Sequence, residues 1–259
     1  MVEKRFEHRI SKGSRFNQIY IPLSMQTVFE AGDIVEVKLL RKKDKIYFSK
    51  NLKRIGDFKE KITNEIFSCL SKFSEIKQIF IIGSFLLGKD YKDIDMLIIG
   101  RNVSERLERK IYNVLDEKIG MKFHILIISE SNFLELLKID PVIRSMILFS
   151  VSNKKTEISE SVIDKKHLKF LLMMPEDLLK VDVKNGRAFY DNLRRVFAVE
   201  RFLEGKTEDI VEINKEIKKI IPEELYERAR NSAILSKKEI EIIRRILKYK
   251  LRRISEKMK

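Results

Sequence analysis

Cysteine is almost missing: Cys69 is the only one in 259 residues. A disulfide framework and a cysteine-rich zinc site are therefore excluded. The lone thiol lies in an amphipathic helical stretch and is expected to be a small buried apolar residue. No run of 18 or more apolar residues is present to cross a bilayer. The opening Met1-Val2-Glu3-Lys4-Arg5-Phe6 lacks a hydrophobic signal region, which predicts a cytoplasmic protein with no membrane partner. Negative charge is in deficit, with 39 Asp and Glu against 54 Lys and Arg, a formal net charge of +15. Such a surface draws polyanions, so nucleic acid is the expected partner. Basic clusters lie at 38–45, 50–54, 165–169 and throughout 237–259.

The apolar fraction of 44% is ample for real cores, and the length predicts two or three small domains. A charged fraction of 36%, rich in Lys and Glu, fits a thermophile.

The stretch richest in chemistry runs from Ile79 to Ile99. The apolar strand Ile79-Phe80-Ile81-Ile82 ends in Gly83-Ser84, a short segment through Gly88 follows, and a second apolar strand carries Asp93 and Asp95. Residues i and i+2 of a strand share a face, so the two carboxylates should stand side by side. Held that close they repel unless a cation lies between them, and hard oxygen ligands suit Mg²⁺. Gly83 lets backbone approach a phosphate, and Ser84 offers a hydroxyl and an amide at a helix start.

These residues resemble the signature of the nucleotidyltransferase superfamily of the DNA polymerase β type, in particular its minimal nucleotidyltransferase members. Gly83, Ser84, Gly88, Asp93 and Asp95 match that signature in order and spacing. The resemblance implies one or two Mg²⁺ ions on Asp93 and Asp95, an NTP substrate whose β/γ-phosphates lie on Gly83 and Ser84, and a third carboxylate on a later strand. That strand should be 122–128, after a helix 104–119 capped by Ser104 and stopped by Gly120. His124 occupies the slot where the family carries an acid, and Glu130 could reach back from just beyond. Two readings stay open: catalysis with an altered third ligand, or a domain that binds nucleotide without transfer. As an antitoxin-like variant, the enzyme could modify a partner protein.

Upstream, Ile21-Pro22, Gly32-Asp33 and the alternation Ile34-Val35-Glu36-Val37-Lys38-Leu39 resemble an AbrB/SpoVT-type swapped-hairpin domain. The resemblance implies a homodimer with interleaved hairpins and a DNA-facing surface bearing Arg5, Arg9, Lys12 and Arg15. From about residue 153 the pattern is helical. Ser236 to Glu239 form a capping box for a last helix whose basic face bears Arg244, Arg245, Lys248 and Arg252. The last histidine is His167, so no HEPN-like Arg–His pair exists there. His8 and His167 are expected to be ordinary surface residues.

The expected fold class is α/β (α+β) in three parts. A small β domain (1–54) precedes a mixed-sheet, polymerase-β-like core (55–152) and an all-α helical domain (153–259).

Overall fold

A computed structural model describes residues 5–8, 10–38, 45–88, 91–101 and 103–259. The chain separates into two compact units, Met1–Lys43 and Asp44–Lys259.

In the first unit, two-residue strands β1 (Ser11–Lys12) and β2 (Asn17–Gln18) pair antiparallel, and a 3-10 turn covers Leu23–Met25. The strand expected from Ile34 is not formed over residues 34–38, and Ile34, Val35 and Val37 are exposed. An alternating strand needs an opposing sheet to bury its apolar face, and among the described residues none lies against this segment. Leu39 and the basic turn at Arg41 to Asp44 lie outside the described residues, as does Arg9.

The second unit begins earlier than the expected boundary near residue 54. Strand β3 (Tyr47–Phe48), expected in the first domain, pairs antiparallel with β7 (Val151–Ser152) in the core sheet. Helix α1 (Asp57–Leu70) follows, with Gly56 at its N-cap; Asp57 is its first helical residue and bonds Arg54 at 2.6 Å. Then come β4 (Ile76–Ile82), the one-turn α2 (Ser84–Leu87), β5 (Ile94–Gly100), α3 (Glu105–Ile119), β6 (Phe123–Ser129), α4 (Glu130–Ile139) and α5 (Pro141–Leu148). The run from Val142 is thus a helix and then the short strand β7. Ser104 caps α3 from its side chain, and Gly120 ends it in the left-handed region.

The sheet order is β3-β7-β4-β5-β6, antiparallel except for the β5–β6 pair. One face packs on α1 and α3, where Ile79, Ile81, Met96, Ile98 and Phe123 meet Phe67, Leu70, Ile111 and Leu115. The other face packs on α4 and α5, where Phe80, Leu97 and Ile99 meet Phe133, Leu137 and Ile147. Cys69 is buried, as expected.

The C-terminal part is helical: α6 (Lys165–Leu178), α7 (Gly186–Leu203), α8 (Ile210–Ile220), α9 (Glu223–Arg230) and α10 (Lys237–Lys257). Its core surrounds α7, whose Phe189, Leu193, Val196 and Phe197 are buried against Ile213, Ile217, Leu225, Ile243 and Leu247. The capping box of Ser236 and Glu239 is present. The bundle is not separate from the sheet: Ile210 of α8 packs into the α1/α3 core and Val142 of α5 into the bundle. Among the described residues, no helix is long and apolar enough to cross a membrane.

His167 is not an ordinary surface residue. Its Nε2 lies 2.9 Å from Asp140 Oδ2, while Asp140, nearly buried, accepts hydrogen bonds from the Val142 and Ile143 amides at the start of α5. One carboxylate thereby joins α5 to α6.

Candidate metal centre

The geometry of the site follows from strand register. In the antiparallel β4–β5 pair, Ile82 is opposite Asp95, so the turn after Ile82 arrives beside that carboxylate. In the parallel β5–β6 pair, Asp95 is opposite His124, which puts the imidazole on the same face. Asp93 lies just before β5 rather than inside it, and its side chain joins the other two.

His124 Nδ1 is 3.5 Å from Asp93 Oδ2 and 3.4 Å from Asp95 Oδ1. One ligand atom from each of Asp93, Asp95 and His124 lies within 4.8 Å of the others. Around a Mg²⁺-sized ion, ligand atoms about 2.1 Å from the metal sit roughly 3–4 Å apart. Small side-chain adjustments therefore suffice to hold a divalent cation. Burial, and next the like charge of Asp93, push the Asp95 carboxyl above its ordinary pKa; His124 and the more distant Arg187 oppose that rise. A bound cation would relieve both causes.

Gly83 is required by two independent constraints. Its φ is +77°, and a β-carbon added there would stand 2.1 Å from Asp95 Oδ2. The Gly-Ser corner is thus packed directly on the Asp95 carboxylate. Gly83 is the N-cap position of α2, and Ser84 opens that turn.

Lys59 of α1, which carries no sequence motif, fixes the other end of α2. Its ammonium donates to the carbonyls of Phe85 and Gly88 and lies 5.3 Å from the ring centres of both Phe85 and Tyr91. Burial lowers its pKa. An open groove of about 760 Å³ adjoins the triad along the outer edge of β6, lined by Glu105, Arg109, Tyr112 and Asn113 of α3 together with Phe123 and His124.

Glu130 does not belong to the site. It opens α4 at the far end of β6, six residues from His124, or about 20 Å along the strand, and lies 3.7 Å from Lys77. Arg5, Lys12 and Arg15 are exposed in the first unit. On α10, Arg245, Lys248 and Arg252 are exposed, with Arg252 3.6 Å from Glu256. Arg244 is engaged within the fold: its guanidinium donates to the carbonyls of Leu178 and Val181, closing the end of α6. Arg187, whose charge reaches Asp95, comes from α7, some ninety residues downstream of the aspartates, and no local pattern announces it.

No family model matches the chain, and no curated protein matches it.

Proposed function

We propose that the protein is a nucleotidyltransferase of the polymerase-β type, moving a nucleoside monophosphate from an NTP to a hydroxyl acceptor. The observation that carries this reading is the Gly83–Asp95 contact. A glycine-serine corner pressed against one of two paired carboxylates, with a third metal-ligating side chain beside them, is an arrangement suited to a triphosphate and its counter-ion. Mg²⁺, held by Asp93 and Asp95, would neutralise charge on the transferring phosphate. The amide of Ser84, at the half-buried start of α2, suits a β- or γ-phosphate oxygen. The acceptor oxygen forms a bond to the α-phosphorus as the bond to the leaving pyrophosphate breaks. Its proton leaves through solvent at the open side of the site, where the His124 side chain is 56% exposed.

The same reading takes the first unit as a dimerisation and nucleic-acid-binding module. It is supported by the uncovered Ile34, Val35 and Val37, which a second copy would pair and bury, and by the exposed Lys12 and Arg15. A cytoplasmic location accords with the proposal. An imidazole in place of a third acid favours a second reading, in which the site binds nucleotide as a sensor in a DNA-binding regulator.

Incubation with α-³²P-labelled NTPs, Mg²⁺ or Mn²⁺, and either total RNA, DNA or cell protein separates the two. Label carried onto an acceptor by the native chain and lost in Asp93→Asn supports transfer, and label on a polypeptide would identify the protein-modifying form. Nucleotide binding with no transfer to any acceptor would refute the enzyme and favour the sensor.

A further inference from the structure

The helical bundle contains a guanidinium whose Nε its own fold leaves unsatisfied. Arg187, Tyr190 and Arg194 follow one another on α7 at spacings of three and four residues, and so share one face. The guanidinium carbons of Arg187 and Arg194 lie 5.6 and 5.5 Å from the centre of the Tyr190 ring. That ring is fixed in place. Its hydroxyl donates to Asn214 Oδ1 of α8 at 3.0 Å and meets the Tyr226 hydroxyl of α9 at 3.4 Å.

The two arginines differ in their partners. Arg187 Nε donates to Asp191 Oδ2 at 2.9 Å. Arg194 Nε is buried without an acceptor, and among the described residues no protein oxygen accepts a hydrogen bond from this guanidinium. A guanidinium carries five donors, and a buried N–H left without an acceptor is destabilising. Burial depresses the pKa of Arg194; Tyr190 and Asp191 oppose that fall, and Arg187 adds to it as a like charge. A fold that spends a largely buried arginine this way leaves room for an outside anion to complete it.

We propose that Arg194, with Arg187 beside it on α7, receives a phosphate group of a bound ligand. Two planar donor forks at one rigid ring suit a tetrahedral, doubly charged oxyanion better than a carboxylate, which a single fork satisfies. The proposal deepens the nucleotidyl-transfer reading, since the charge of Arg187 also reaches Asp95, and rests on it only for the ligand's identity. That phosphate belongs either to the tail of the NTP or to a nucleic-acid acceptor.

The test uses inorganic tripolyphosphate as the probe, titrated calorimetrically into the full chain in EDTA so that the metal triad takes no part. Wild-type protein should bind it in a salt-sensitive manner, and Arg194→Met should bind about ten- to a hundredfold more weakly. Without anion, Arg194→Met should melt no lower than wild type, because it removes an unsatisfied charge; Arg187→Gln gives an independent loss of affinity should the first variant misfold. Equal affinity in wild type and in both variants overturns the proposal, as does absence of binding to the wild type. Displacement of the probe by ATP supports the site and assigns it to the nucleotide tail, and displacement by a 5′-phosphorylated oligonucleotide supports it and assigns it to the acceptor. Displacement by neither overturns it. Probe binding that persists while the wild type transfers no nucleotide refutes the enzyme reading and leaves this site standing.

Discussion

Replacing Gly83 by alanine perturbs the site through a single methyl group. The new carbon would stand 2.1 Å from Asp95 Oδ2, 3.0 Å from its Cγ and 3.1 Å from its Cβ, against an ordinary contact of about 3.5 Å. Rotating the carboxylate clears the first of these contacts. It does not clear the Cβ, which is fixed to the backbone of β5, so the corner and the strand must also separate. The residue is held at φ +77° and ψ −155°, a region essentially reserved for glycine, where a side chain costs about 1–3 kcal/mol. Together these should lower the melting temperature by about 2–12 °C and displace Asp95 by roughly an ångström. A displacement of that size costs about a hundredfold in a reaction that depends on positioning. The assays are thermal unfolding in EDTA, calorimetric titration with Mn²⁺, and nucleotide transfer under matched conditions. Gly83→Ala protein that keeps wild-type metal affinity and transfer would show that the corner does not set the position of the carboxylate.

His124→Asp supplies a third acid and should raise Mg²⁺ affinity about tenfold, shifting preference from Mn²⁺ towards Mg²⁺ in a metal titration. Because the Asp95 pKa is raised in the folded state, stability is lost as pH climbs from the ordinary carboxylate value through that raised value, and the cost is complete above it. Asp95→Asn should therefore melt higher than wild type at neutral pH in EDTA, the advantage vanishing as pH falls through the raised pKa and reversing when divalent metal is added. Asp140→Ala removes the cap of α5 and the partner of His167, and should cost about 2–4 kcal/mol in urea unfolding.

The local parts of the centre were legible in the sequence because their spacing is covalent. Gly83-Ser84 and Asp93-x-Asp95 lie at the joined ends of adjacent antiparallel strands, so order along the chain fixes which side chains meet. His124 could be placed by alternation within one strand, and α3 could be bounded by Ser104 and Gly120, whose cap chemistry is local. Glu130 was harder to exclude by spacing, since its position depends on where β6 ends and α4 begins. Arg187 was illegible for a different reason: a long side chain on a distant helix comes within electrostatic range of Asp95 only through the packing of the bundle. The first unit shows the opposite limit. The alternation of Ile34 to Leu39 reads as a strand, but a strand exists only where something pairs with it, and among the described residues nothing pairs with residues 34–38.

The parallel pairing of β5 with β6 has a consequence for how this centre can vary. The crossover between them runs through α3, so residues inserted near Val103 or Gly120 lengthen a surface connection and leave Asp95 opposite His124. A single residue gained or lost inside β6 has the reverse effect: it turns the imidazole through the sheet into the α1/α3 layer and presents an aliphatic side chain to the aspartates. Tolerance to length change should therefore drop abruptly at Phe123, making the first two residues of this strand the most length-sensitive point downstream of the aspartate pair.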